Sequence, residues 1–407
     1  MKKNKRLVLA IMFVVSMFLT ACGSGGGQAS GDGEGEPIKL GFTLALTGNF
    51  AFMGEGVKEG VELFFEENGN KIGDRPVELF FEDDAGDPQK ALKNYQQLTL
   101  NQEVDFLGGG TIGSISYALT EAAEKDKRVP IINVVGSGNS LSWGEKSDYV
   151  WRIGFSSLNY AGTLGVDMAE NIGKKAVVIA SDYVAGHEQA TDFSANFKEH
   201  GGEVLDILWA PSGTSDFSSY INQIKQHDAD AVYMFIPGAD GPRFVQQFKE
   251  FGLAENYALV DGGSVLNAPS TVEAVGDAVV DGYVLSHYHV GLENELNKKF
   301  VEDYTAKYDK VPDNYVINGY DTAKVMSESI QEAGSTEVGD IIDTLKAGLS
   351  FDSPRGPIEL DPKTNHPIQN HYILKGVEKD GEIVFELVRT YEKVQMPAED
   401  PGYEKAK

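Results

Sequence analysis

The residues best placed for chemistry lie in Val104-Asp105-Phe106-Leu107-Gly108-Gly109-Gly110-Thr111-Ile112-Gly113-Ser114, running on into Ile115-Ser116-Tyr117-Ala118-Leu119. Val104 to Leu107 is a short apolar run that stops at glycines, as a buried parallel strand does. The glycines permit a sharp turn and a close approach of backbone to ligand. Ser114 then stands where a helix begins, as a hydroxyl N-cap beside free backbone N–H groups. Such a helix end binds anions such as carboxylates, through its N–H groups and the positive end of the helix dipole.

Other chemistries fit less well. Gly108, Gly110 and Gly113 match G-x-G-x-x-G, the dinucleotide fingerprint. That motif requires an acid at the end of the next strand. Here the next strand, Val129 to Val135, ends in Gly136-Ser137-Gly138. A tight turn without a ligand is the plain alternative. His287 and His289, two apart on a strand, point the same way, but no third metal ligand stands at a recognisable spacing. Neither G-x-S-x-G nor H-E-x-x-H occurs, so a catalytic reading would rest on scattered carboxylates. No cofactor and no metal are expected.

The elements that must position the stretch follow from pattern. Ile38 to Leu46 reads as a strand, Gly54 to Asn68 as a helix striped by Val57, Val61, Phe64 and Phe65, and Val77 to Phe81 as a strand. Asp83-Asp84 with Gly86-Asp87-Pro88 reads as a turn and helix cap before a helix from Gln89 to Leu100. A second series begins at Ala176. Its strands end at Ser181-Asp182-Tyr183, Trp209, Pro237 to Asp240 and Asp261-Gly262-Gly263-Ser264. Strands alternating with helices imply parallel sheets with helices on both faces. Past Ser350, three antiparallel strands are expected around Ile358, Tyr372 and Ile383, and a disordered polar tail over 396–407. Ligands of such sheets bind at the carboxyl ends of strands. Those ends carry small hydroxyls, glycines, carboxylates and aromatics, which suit a small polar molecule with an apolar part.

The 407 residues are enough for two or three domains, and 41% hydrophobic with 24% charged is ordinary for a folded chain. The formal charge of -27 argues against nucleic acid or an anionic membrane as a direct partner. Cys22 is the one cysteine, so neither an intrachain disulfide nor a cysteine zinc site is possible. Residues 2–6 carry four positive charges, and Leu7 to Leu19 is apolar but short for a membrane span. Leu19-Thr20-Ala21-Cys22 follows and resembles a bacterial lipobox. That resemblance implies a signal peptide over 1–21 and a diacylglyceryl group on Cys22. Residues 22–36 read as a flexible tether.

Five further segments carry a family resemblance. They are Leu46-Thr47-Gly48 with Gly54-Glu55-Gly56, then Asp83-Asp84-Ala85-Gly86-Asp87-Pro88, Ser215-Asp216-Phe217-Ser218, Asn318-Gly319-Tyr320-Asp321 and Gly356-Pro357-Ile358-Glu359-Leu360-Asp361. In this order, over 38–389, the chain resembles a type I periplasmic binding protein. It is most similar to the leucine/isoleucine/valine branch that serves ABC importers. The resemblance implies two Rossmann-like α/β lobes joined by three crossovers, closing on ligand like a hinged clamp. The crossovers fall near Phe155, Tyr283 and Ser350. Lobe one is then 37–155 with 284–350, and lobe two 156–283 with 351–395.

The family's carboxylate-binding serine falls on Ser114, its next hydroxyl on Ser137 beside Gly136, and its lobe-two tyrosine on Tyr183 beside Asp182. Its side-chain pocket falls near Met53 and Tyr315, with Phe50 and Phe52 adjacent. The glutamate that amino-acid binders set against the ammonium falls close to Gly262, leaving Asp261 and Asp240 as substitutes. Relatives also take up amides, urea or aromatic acids, and the aromatic residues would suit such a body. The implied protein is a monomeric, extracytoplasmic, lipid-anchored binding protein, not an enzyme. It passes a small molecule to an ABC permease. A ligand-sensing receptor ectodomain is the alternative.

Overall fold

The computed structural model describes residues 35–144 and 146–406. The charged start, the apolar run, Cys22 and nearly all of the tether lie outside the described residues. No helix among the described residues is long and apolar enough to cross a membrane.

The chain opens with β1 (Ile38–Leu44), α1 (Ala51–Glu67), β2 (Lys71–Ile72), β3 (Arg75–Asp83) and α2 (Pro88–Gln96). It continues through β4 (Phe106–Gly109), α3 (Gly113–Asp126), β5 (Ile131–Asn133) and β6 (Val150–Arg152). These strands form one sheet in the order β2-β3-β1-β4-β5-β6, parallel except for β2. β1 is buried along almost all of Ile38–Leu44, because helices cover both faces of the sheet.

A second series follows: α4 (Ser157–Asn171), β7 (Lys175–Ser181), α5 (Val184–Glu199), β8 (Glu203–Ala210), α6 (Ser218–Ile224) and β9 (Ala231–Phe235). Then come α7 (Asp240–Glu250), β10 (Ala258–Asp261), α8 (Pro269–Val275) and β11 (Tyr283–Ser286). The chain returns to the first sheet's helical layer through α9 (Glu295–Tyr308), α10 (Asn314–Ala333) and α11 (Val338–Gly348). It ends with β12 (Ser350–Ser353), β13 (Gly356–Asp361), β14 (His366–Lys379) and β15 (Glu382–Val394), paired antiparallel; the last three are the strands expected from the sequence, and β12 is an addition. The second sheet runs β12-β13-β14-β11-β10-β9-β7-β8, with β15 on β14.

Within the two sheets the parallel strands share one order: β3-β1-β4-β5-β6 and β8-β7-β9-β10-β11. Each reverses direction once, between β1 and β4 in the first and between β7 and β9 in the second. Such a reversal opens a crevice at the carboxyl ends of the strands. The two-lobed α/β architecture expected from the sequence is therefore present.

Glycines set one packing that matters for the site. A Cβ at Gly60 of α1 would lie 2.0 Å from Val316 O of α10, and one at Gly319 of α10 would lie 2.0 Å from Val57 O of α1. The two helix backbones touch only because both side chains are absent. This contact gives a physical reason for glycine in the Asn318-Gly319-Tyr320-Asp321 segment.

The crossovers are knitted by buried polar side chains. Arg355 donates to Asp321 Oδ2 at 2.6 Å, Gln369 Oε1 at 2.7 Å and Ile153 O at 2.9 Å. Tyr160 of α4 bonds His287 Nδ1, and His287 Nε2 meets Asn318 Oδ1 of α10 at 2.8 Å. Burial, with the nearby Arg355 cation, holds His287 well below the usual histidine range, so it is a neutral linker.

Three expectations need correction. The second crossover lies after Ser286 rather than at Tyr283, because Tyr283–Ser286 stays in the second sheet as β11. Residues 351–365 do not belong wholly with lobe two, since Phe351, Ile358 and Leu360 pack in the core that holds Ile38, Phe42 and Trp151. β14 is long enough to serve both halves: it pairs β13 at its start and β11 over Tyr372 to Lys375. The tail is not disordered. It has no helix or strand over 395–406, yet Met396 is buried, Trp143 Nε1 donates to Pro397 O at 2.9 Å and Ala406 N donates to Thr191 Oγ1 at 3.0 Å.

Deleting 396–407 should therefore destabilise the protein. Burial of Met396 contributes about 1.5–3 kcal/mol, and the indole bond about 1 kcal/mol. A urea melt followed by tryptophan fluorescence measures this. A midpoint identical to the full-length chain would return the tail to the disordered class.

Candidate ligand site

The crevice of the first sheet lies between the ends of β1 and β4. Thr111 ties the two together, its Oγ1 accepting Ala45 N at 3.3 Å. Gly110 turns the chain there at φ +82°, a left-handed conformation that glycine adopts without strain. Asp83 holds the opposite loop, accepting Leu46 N at 3.0 Å, Thr47 N at 3.2 Å and Thr47 Oγ1 at 2.6 Å. The Asp83-Asp84 pair is a loop clamp, as the turn reading expects.

α3 begins at this crevice, but its cap differs from expectation. Ile112 is the N-cap residue and makes no side-chain cap bond; Ser114 is the second helical residue and is exposed. Among the described residues, neither Gly113 N–H nor Ser114 N–H has an acceptor, and the space around Gly113 is open. The free N–H groups and the positive helix end remain, with the serine hydroxyl one turn-edge further on.

Phe52 and Met53 lie in the first turn of α1, which starts at Ala51 rather than Gly54. Gly54 lets that turn press on the end of β1, since a Cβ there would sit 2.1 Å from Ala45 O. Phe52 is 54% exposed and meets Tyr315 edge-on, ring centroids 5.4 Å apart. Phe50 lies against the turn at Gly86, where a Cβ would fall 2.9 Å from its ring. Exposed aromatics at a strand end suit an apolar ligand body.

The second sheet repeats the device. Gly186 lets α5 press on the end of β7, its Cβ position being 1.9 Å from Ser181 O. Tyr183 precedes α5, is 40% exposed, and stacks on Phe235 at 6.4 Å. Burial pushes its phenol up to about 12, so it is a neutral donor. Asp182 is paired with His187 Nε2 at 2.8 Å.

Other predicted residues are not free for ligand. Asp240 accepts Gly213 N at 2.6 Å and pairs with Arg243 at 2.9 Å. Asp261 is fully buried and accepts the backbone N–H groups of Gly263 at 2.7 Å, Val265 at 2.5 Å and Leu266 at 2.9 Å. Burial still pushes its carboxyl up to about 6, against the pull of those bonds. Both aspartates organise loops. At Gly262 a Cβ would strike Tyr233 Oη at 2.1 Å, so no side chain fits there without movement. Gly136 is equally structural: a Cβ would lie 1.9 Å from Ser116 Oγ. Ser137 O accepts Ser157 N at 3.1 Å, so its loop reaches the start of α4.

The sequence reading missed the contacts between the halves. Asn139 Nδ2 donates to Asp192 Oδ2 of α5 at 2.8 Å, and Asn139 Oδ1 accepts Leu158 N of α4 at 2.9 Å. Beside them lies a cavity of about 620 Å³ lined in part by Trp143, Val184, Glu188 and the tail residue Tyr403. The spacing of 184, 188 and 192 on one helix face was the available signal.

A family model described as periplasmic binding protein matches residues 37–382. The chain belongs to that family. It is similar to "Leu/Ile/Val-binding protein homolog 6" of Brucella abortus (strain 2308), 28% identical over 374 residues, 90% of this chain and 93% of the relative. Among solved structures it is similar to an ABC transporter substrate-binding protein from Sphaerobacter thermophilus, at 28% identity and TM-score 0.84, covering 89% of this chain and all (100%) of that one. A solute binding protein of an ABC transporter from Rhodopseudomonas palustris BisB5, solved with 3,4-dihydroxybenzoic acid, is 27% identical with TM-score 0.79, covering 90% and 99%. This periplasmic binding protein is thus of type I, in the leucine/isoleucine/valine branch, a family of solute binders rather than an enzyme class.

Asp192 gives the contact between the halves a pH dependence. Burial, and then the nearby Glu188 and Asp400, push its carboxyl up to about 7 from 3.8, although Asn139 pulls it down. The folded protein then holds a proton that the unfolded chain releases, so this group's contribution falls as pH rises from about 4 to 7. Asp192→Asn should gain on the wild type across that window and keep a constant margin above it. Urea melts at pH 5 and pH 8 report the margin; an equal margin at both would contradict the assignment.

Proposed function

We propose that this protein is the extracytoplasmic receptor of an ABC importer, anchored by lipid at Cys22, that captures a small monocarboxylate between its lobes. The ligand's carboxylate meets Gly113 N–H, Ser114 N–H and the Ser114 hydroxyl at the start of α3. Its body packs against Phe52, Met53 and Tyr315, with Tyr183 covering it from the second lobe. One observation carries the reading: two open helix N–H groups stand at the strand-order reversal of a sheet whose first helix carries the exposed Phe52 ring, edge-on to Tyr315. Residues 37–155 and 287–350 then contribute to lobe one, and 156–286 to lobe two.

Among carboxylates, the arrangement favours an aromatic acid over an amino acid. A zwitterion needs a counter-charge for its ammonium, and an unpaired buried ammonium is costly. Asp240 and Asp261 are both engaged elsewhere. The benzoate-type complex of the R. palustris relative supports this choice. A branched-chain amino acid is the second reading, favoured by the Brucella Leu/Ile/Val-binding homologue.

Calorimetry with benzoate, 4-hydroxybenzoate and leucine separates the two. A hydroxybenzoate should bind tightest, and Ser114→Ala should weaken it by about 1.5–3 kcal/mol, the range for a bond to a charged group. Tight leucine binding with no benzoate binding would reverse the choice. An undiminished affinity in Ser114→Ala would remove the start of α3 from the site.

The anchor has its own test. Cys22→Ser should move the protein from the membrane fraction to the soluble one and abolish labelling by a palmitate analogue. Identical fractionation of both forms would leave Cys22 without a lipid.

A further inference from the structure

Two cationic side chains are fully buried among the described residues, Arg152 and Arg355. Arg355 is paired with Asp321 at 2.6 Å. Arg152 has no ion pair among the described residues. It donates to neutral acceptors: Ser142 Oγ at 2.8 Å, Gly136 O at 3.2 Å and Phe155 O at 3.0 Å, and its Nε has no partner. A buried charge without a partner is expensive, so its retention calls for a counter-charge.

The place of Arg152 says where that charge belongs. It ends β6 at the carboxyl edge of the first sheet, and its guanidinium lies behind the Gly136-Ser137 loop. The ionisable groups facing it are Tyr117, on α3 one turn past Ser114, and Glu188 on α5. The cation also bears on His366, which burial, and then Arg152, hold well below the usual histidine range. A chain of net charge -27 that binds an anion needs a local positive field. Arg152 adds to the field of the α3 helix end on the same side of the sheet.

We infer that Arg152 is a specificity-determining residue that selects anionic over neutral ligands, through the field of its charge across the loop behind which it lies rather than by direct contact. The inference rests on the carboxylate reading above and adds the source of its charge selectivity. Glu188 is the protein's own competitor for the cation when no anion is bound. Burial lifts its carboxyl above the usual range, although hydrogen bonds from Ser157 and Asn139 and then the Arg152 cation draw it down.

The experiment compares shape-matched acid and amide pairs, benzoate with benzamide and leucine with leucinamide, on the wild type, Arg152→Met and Arg152→Lys. Calorimetry gives the ratio of acid to amide affinity within each protein, and thermal melts report folding. The wild type should prefer the acid, Arg152→Met should lose roughly ten-fold or more of that preference, and Arg152→Lys should restore most of it. If Arg152 only props the loop, acid and amide affinities fall together and the ratio stays fixed, which overturns the inference. Should Arg152→Met fail to fold, Arg152→Gln is read by the same ratio. A wild type that binds neither acid overturns the carboxylate reading and this inference with it. A wild type that binds an acid while every Arg152 variant keeps its ratio overturns this inference alone.

Discussion

One guanidinium holds the two halves of this molecule in register. Arg355 lies in the turn between β12 and β13; Ile153 O from the first crossover and Asp321 from α10 both meet its nitrogens. Gln369 closes the set, donating to Gly154 O at 3.2 Å while accepting from Arg355. Burial outweighs the guanidinium and lifts the Asp321 carboxyl above the usual range. Breaking such a buried pair by removing one partner typically costs 3–5 kcal/mol. A clamp needs hinge segments that bend without losing their relation to each other, and a shared buried donor supplies that relation.

The proposed site depends on this constraint because neither half completes it. The first sheet brings a positive helix end, Phe52 and Tyr315 to its crevice. The second brings Tyr183, stacked on Phe235. Equal strand order in the two sheets puts each reversal at the carboxyl ends of its strands, where helices begin and point free N–H groups outward. The contact of Asn139 with Asp192 and the tail contacts to Trp143 and Thr191 then link the halves outside the hinge.

The charge logic of the site is a consequence of burial. Asp261 and Asp240 look available in the linear chain, yet each spends its oxygens on backbone N–H groups of its own lobe. Arg152 looks like a strand-end residue of no note, yet among the described residues it is a buried cation without a carboxylate partner. Which charges face a ligand is decided by the hydrogen bonds already made, and these are non-local.

The linear sequence was enough to determine the α/β class and the alternation of strand and helix, and it pointed to the strand ends on which the proposed site is built. Those features follow from periodicity and glycine placement, which act over a few residues. It also marked Phe52, Ser114, Tyr183 and Tyr315 as residues of interest through the family pattern. It missed that Ile112 caps α3, that β14 serves both halves, that the tail is anchored at Trp143 and Thr191, and that both candidate aspartates are occupied. Only tertiary structure decided these, because each depends on partners tens to hundreds of residues away, or on which way a short loop turns its N–H groups. Local pattern tells where a helix or strand can form; the identity of a buried group's partner is fixed only when the chain has folded around it.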